Sequence, residues 1–165
     1  VGELRELFLI RSRLEGLAAH LACPHLTAAD FQELRRLQGE MTRYAKRVDA
    51  KAWLTANEQW HHLIIRATKN GQLTRLLIEL WHRGMSRRIG APNVPGHMDR
   101  RLMEHEAILA ALKRSDAELA ERLWRDHILA GGEEIIKYLE AAQVPVNVGK
   151  RRSGGGDGLH NTRGG

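Results

Sequence analysis

Apolar residues recur every three or four positions along most of the chain, and breaks in that period divide it into six predicted helices. The first spans about 3–22, with Leu4, Leu7, Ile10, Leu14, Leu17 and Leu21 as its apolar stripe. "CPHL" interrupts it. Thr27 then reads as an N-cap with Asp30 at N3, and Leu26 and Phe31 take the positions of a hydrophobic staple. The second helix continues through Leu34, Gln38, Met41 and Ala45. Asp49 is placed to cap the third, which carries "NEQWHHLII" and is expected to stop at Asn70-Gly71. The fourth starts near Gln72. "GAPNVPG" (90–96) cannot continue a helix and predicts a loop. The fifth runs from about His97 to Lys113. Ser115 and Glu118 have the spacing of a capping box for the sixth, which extends to about Ala142 across Gly131-Gly132, where a bend is expected. Helices that each carry one apolar stripe, joined by short connections, predict an all-α antiparallel bundle.

After about residue 143 the period disappears. Residues 144–165 end in "GKRRSGGGDGLHNTRGG" and read as a flexible Gly-rich tail, leaving 1–143 as one helical domain.

Bulk composition narrows the classes. The 165 residues are 42% hydrophobic and 28% charged, an ordinary globular balance. A lone cysteine, Cys23, excludes an internal disulfide framework. No apolar run is long enough for a membrane span, and the start has no signal-peptide core. The net charge of +6 suggests nucleic acid at first sight. Half of it comes from Lys150, Arg151, Arg152 and Arg163, offset by Asp157, in the tail. The domain itself therefore reads as a mixed-charge surface. The four tryptophans, Trp53, Trp60, Trp81 and Trp124, are not interleaved with a basic stripe. They suit core or interface packing better than base stacking.

Three of the nine histidines fall on the apolar stripes. His61 follows Asn57 by four residues and precedes Ile64 by three. His105 lies three from Leu102 and from Ile108. His127 follows Leu123 by four. Residues three or four apart share a helix face, so three rings from three helices are expected to point inward, with Asn57 alongside His61. Two readings follow: core histidines bonded to carbonyls and hydroxyls, or a divalent metal site, since imidazole suits Zn, Ni, Cu or Fe. Glu58 and His61 also form one E-x-x-H pair. A di-iron bundle also needs additional bridging carboxylates, so this reading ranks low.

These segments resemble one family. "LRELFLIRSRLEGLAAHLA" is similar to the first helix of the FCD domain, the C-terminal effector-sensing domain of FadR-type GntR regulators, with Arg11, Leu14 and Glu15 in its R-x-x-L-E pattern. "NEQWHHLIIRATKNGQL" and "EHEAILAALKRSDAELAERLWRDHI" resemble two further segments, the latter with its histidines 22 apart. The resemblance covers about 3–140.

It implies a divalent metal, Zn or Ni, held by an acidic residue and three histidines. Those positions here are Asn57, His61, His105 and His127, with a neutral amide where the family has an acid. His62, one residue off the pattern, is expected to face outward. The resemblance also implies a small carboxylate effector met by arginine. Arg11 is the first candidate and Arg83 a second, with Arg87 and Arg88 weaker. It further implies a homodimer in the bacterial cytoplasm, no membrane and no catalysis. Operator DNA would be bound through a winged-helix domain upstream of Val1. A metalloenzyme on the same bundle and a structural dimerisation module are the alternatives.

Overall fold

A computed structural model describes residues 2–88 and 94–142, with side chains for 2–83 and 94–142. The side chains of Arg87 and Arg88, residues 89–93 at and just before the start of the expected loop, and the Gly-rich stretch 144–165 lie outside the described residues. Six α-helices follow one another: α1 Gly2–Ala22, α2 Ala28–Lys46, α3 Ala50–Ala67, α4 Gly71–Arg88, α5 His97–Lys113 and α6 Ala117–Ala141. A 3-10 turn, Cys23–His25, joins the first two, with proline where it cannot break a helical hydrogen bond. No strand occurs among the described residues. The fold is the expected all-α bundle.

Local chemistry sets the ends. Thr27 Oγ1 accepts from Asp30 N, and Asp30 Oδ2 accepts from Thr27 N at 2.8 Å, a complete capping box. Asp49 caps α3 by accepting from Ala52 N at 3.0 Å. Two expected signals act differently. Asn70-Gly71 opens α4: Asn70 Oδ1 accepts from Leu73 N, while α3 stops earlier, at Thr68, and Lys69 turns left-handed. Ser115 is also left-handed, at φ 58°, so Asp116 caps α6 by accepting from Leu119 N. In each case the side chain that reaches a free N–H decides the boundary, and the residue before it supplies the turn.

α1 and α6 lie antiparallel. Arg5 meets Glu133, Phe8 sits over Gly132, and Gly16 backs onto Glu121. α5 and α6 are antiparallel too, with Arg100 against Glu134 and Arg101 against His127. Gly131 and Gly132 do not end α6. A Cβ on Gly132 would stand 2.4 Å from Phe8 Cγ, so the glycine admits the ring. α3 packs on α1, α2 and α4. Its burial is therefore broad, with Trp53, Trp60, Ile64 and Ile65 all at 1% exposure or less.

The buried face of α1 differs from the expected stripe. Ile10 and Leu17 are 51% and 40% exposed, whereas Arg11, Ser12 and Glu15 are buried. The small residues Ala18, Ala19 and Ala22 complete that inner face. A count of apolar spacing rejects polar residues and so rotates the face by about one position. All four tryptophans lie in the interior, so none is left to line an intersubunit face.

Candidate metal centre

Each histidine arrives on a rigid helix. His61 comes from α3, His105 from α5 and His127 from α6, at 0%, 0% and 4% exposure. Their ligand atoms lie within 4.8 Å of one another. Aromatic rings fix them. His105 stacks on Trp60 with centroids 4.2 Å apart and planes 12° off parallel. Trp124 stands edge-on to His61 at 5.1 Å, and Trp81 tilts against it at 4.8 Å.

Two parallel relays orient the outer rings. On one side Arg11 holds Glu15, with Nε donating to Oε1 at 2.8 Å and Nη2 at 2.5 Å from the same oxygen. Glu15 Oε2 lies 3.2 Å from His61 Nδ1 and accepts from Trp124 Nε1, also at 3.2 Å. On the other side Arg101 Nη2 donates to Glu104 Oε1 at 2.8 Å, and Glu104 Oε2 lies 2.6 Å from His127 Nδ1. When ionised, each carboxylate can only accept, so it then takes the Nδ1–H and leaves Nε2 as the lone-pair nitrogen.

Those two Nε2 atoms face each other at 3.3 Å. With both Nε2 atoms unprotonated two lone pairs face each other, and the 3.3 Å spacing is long for an N–H···N hydrogen bond between them. It matches the roughly 3.3–3.4 Å separation of two nitrogens on a tetrahedral ion with bonds of about 2.0–2.1 Å. The donor set therefore fits a borderline divalent cation such as Zn or Ni. Carboxylates behind ligand histidines are the usual supporting shell of such sites.

The remaining expected residues divide. Asn57 is buried at 3% exposure and lines a crevice beside His127, together with His97 and Arg101. Arg11 is neither solvated nor open to a ligand on all sides. It is fully buried, paired with Glu15 and seated over the Trp81 ring at 4.7 Å. Arg83 is on the surface, paired with Glu79 at 2.7 Å, away from the histidines. The outward orientation expected for His62 is overturned. It is 7% exposed because α4 covers that side of α3, with Trp81 edge-on at 5.3 Å. Burial pushes its pKa down, partly countered by Glu58.

Glu104, Arg101 and His97 had no assigned role in the sequence. Glu104 sits beside His105 in the E-H pair, one position before a candidate ligand. A carboxylate there is the one sequence signal that pointed to a supporting residue. Burial raises its pKa to about 7, outweighing the pull of Arg101. His97 Nδ1 pairs with Glu134, and Arg100 Nε donates to the same carboxylate at 2.7 Å. Glu134 is nevertheless kept below the usual carboxylate range: burial, which raises it, is overcome by these hydrogen bonds.

The FCD domain model matches residues 6–130, from within α1 to just past His127, and so includes all three histidines. The chain belongs to the FCD domain family. A probable D-xylose utilization operon transcriptional repressor from Paenarthrobacter nicotinovorans is 30% identical over 129 residues, 78% of this chain. This FCD chain spans 56% of that relative's length. Among solved structures, E. coli McbR/YncC superposes with a TM-score of 0.75 at 21% identity, over 81% of this chain and 67% of that one. That likeness extends the match to the fold. No helix among the described residues is long and apolar enough to cross a membrane.

Proposed function

We propose that this FCD domain is the effector-sensing and dimerisation domain of a GntR-type transcription regulator. His61, His105 and His127 hold a divalent metal, Zn or Ni, and a small carboxylate binds beside it. The observation that carries the reading is the pair of His Nε2 atoms 3.3 Å apart, each backed by a carboxylate on Nδ1. The metal supplies a Lewis-acidic centre that attracts a carboxylate oxygen. The protein supplies three neutral imidazoles, and it balances Glu15 with Arg11 and Glu104 with Arg101. The ion's charge is thus left to be met by an anion from outside.

Occupancy then acts through the helices. The ligand histidines sit on α3, α5 and α6, and the relays tie in α1. A ligand that favours one packing of these four helices biases how two such domains present operator-binding domains attached upstream. Asn57 in place of the family's acid lines the ligand side of the site and weakens, without abolishing, metal retention. The relative from Paenarthrobacter nicotinovorans, a repressor of an operon, supports the regulatory part.

A thermal-shift screen of small organic acids on zinc-loaded chain tests the reading, paired with an electrophoretic shift assay on promoter DNA. Stabilisation by one or more carboxylates is expected. The helices spend their faces on the bundle, so tight binding of one DNA sequence by this chain, with no stabilisation by any acid, would overturn it.

A further inference from the structure

The crevice beside His127 carries a feature that the metal centre leaves unexplained. Arg101 lines it at 4% exposure. Its Nη1 donates to the His127 carbonyl at 2.9 Å and its Nη2 to Glu104 at 2.8 Å, which fixes the guanidinium plane. Its Nε–H is buried and has no hydrogen-bond partner. A buried donor left unmet is costly, so an acceptor belongs there. The backbone has been cleared for this side chain: a Cβ on Gly131 would lie 2.9 Å from Arg101 Nη1.

We propose that Arg101, rather than Arg11 or Arg83, is the residue of this domain that recognises the carboxylate, its Nε–H donating to one carboxylate oxygen in the crevice. The inference rests on the sensing role proposed above and assigns the donor within it. The crevice offers about 20 Å³, room for one water-sized group, so it accepts an oxygen atom and not a bulky substituent. Phe8, Trp53 and Ile135 form the apolar part of its wall, and Asn57, His97 and His127 add polar groups. Arg101's charge is already shared with Glu104 at 2.8 Å and Glu134 at 3.7 Å. Recognition is therefore a directed hydrogen bond, which favours a small planar acid over a diffuse polyanion. Arg11 also has a buried Nη1 with no hydrogen-bond partner, but it lies outside this wall, with Glu15 on its Nε and Nη2 and Trp81 against its face.

The test is calorimetric titration of the zinc-loaded chain with acetate. Arg101→Lys keeps a cation beside Glu104 but removes the Nε donor, and Gly131→Ala displaces the guanidinium without touching its charge. Both disturb the Arg101–Glu104–His127 relay and are expected to hold zinc more weakly than the parent, so acetate is titrated at saturating zinc, with occupancy checked by elemental analysis. Both should lose about tenfold or more in acetate affinity, the scale of a hydrogen bond to a charged group. Arg83→Gln should bind acetate like the parent. Parent-like acetate affinity in both Arg101→Lys and Gly131→Ala, with zinc retained, would overturn the proposal, as would a zinc-loaded parent that binds no acetate. A parent chain that takes up no zinc would instead refute the metal reading. The same acetate comparison on the metal-free chain would then decide the role of Arg101.

Discussion

Glu15→Ala removes the carboxylate at the hub of one relay. Glu15 is 1% exposed and contacts Arg11, His61 and Trp124. Its loss strands the fully buried Arg11 guanidinium and leaves His61 Nδ1 and Trp124 Nε1 without that acceptor. Removing one partner of a buried ion pair costs about 3–5 kcal/mol. For a domain of this size each kcal/mol moves the midpoint by about 2–4 °C, so the melting temperature should fall by roughly 6–20 °C. The assay is thermal unfolding by circular dichroism in excess EDTA, which separates folding from metal binding. The double variant Arg11→Met with Glu15→Met should recover most of the loss, because replacing both charges by apolar groups is often near neutral. Glu133→Gln, which breaks an exposed pair with Arg5, should cost at most about 1 kcal/mol. A Glu15→Ala midpoint within about 2 °C of the parent, or a double variant as unstable as the single one, would refute the claim that a stranded buried charge dominates.

Further outcomes follow from single contacts. Gly132→Ala should destabilise by about 1–3 kcal/mol in urea unfolding through overpacking against Phe8, and Phe8→Leu should relieve part of it. Glu104 titrates at about 7 in the fold against an ordinary 4.5, so between those values the folded chain keeps a proton that the unfolded chain has shed. Metal-free stability should therefore fall as pH climbs from about 4.5 to 7, relative to Glu104→Gln, in denaturant titrations across that window. Sedimentation velocity at micromolar concentration should give a species of twice the 18.7 kDa chain mass, and a lone monomer would count against the dimer. Asn57→Ala should bind zinc more weakly than the parent in a chelator competition, but still bind it.

Much of the architecture was legible because helix period and short polar caps are local. Thr27, Asp30 and Asp49 act where their spacing put them. Asn70 and Asp116 show the limit: both flank left-handed residues, and only the folded turn tells which side chain reaches a free N–H. Inward-facing His61, His105 and His127 were legible from their stripes, since each shares a face with core residues. Their convergence was not, because it depends on how α3, α5 and α6 cross. Arg11 and Glu15 were quoted as a pattern, but period counting treats charges as surface. A buried pair four residues apart on one helix inverts that rule. Arg101 escaped notice for the same reason, and His62 because α3 is covered on more than one side.

The central claim is that His61, His105 and His127 form one metal centre. Native mass spectrometry of the zinc-reconstituted, desalted chain, with elemental analysis of the same sample, tests it most directly. One zinc per chain is expected, lost in His105→Ala and in His127→Ala while both variants remain helical. A desalted parent chain that carries no zinc, or variants that retain it in full, would contradict the account.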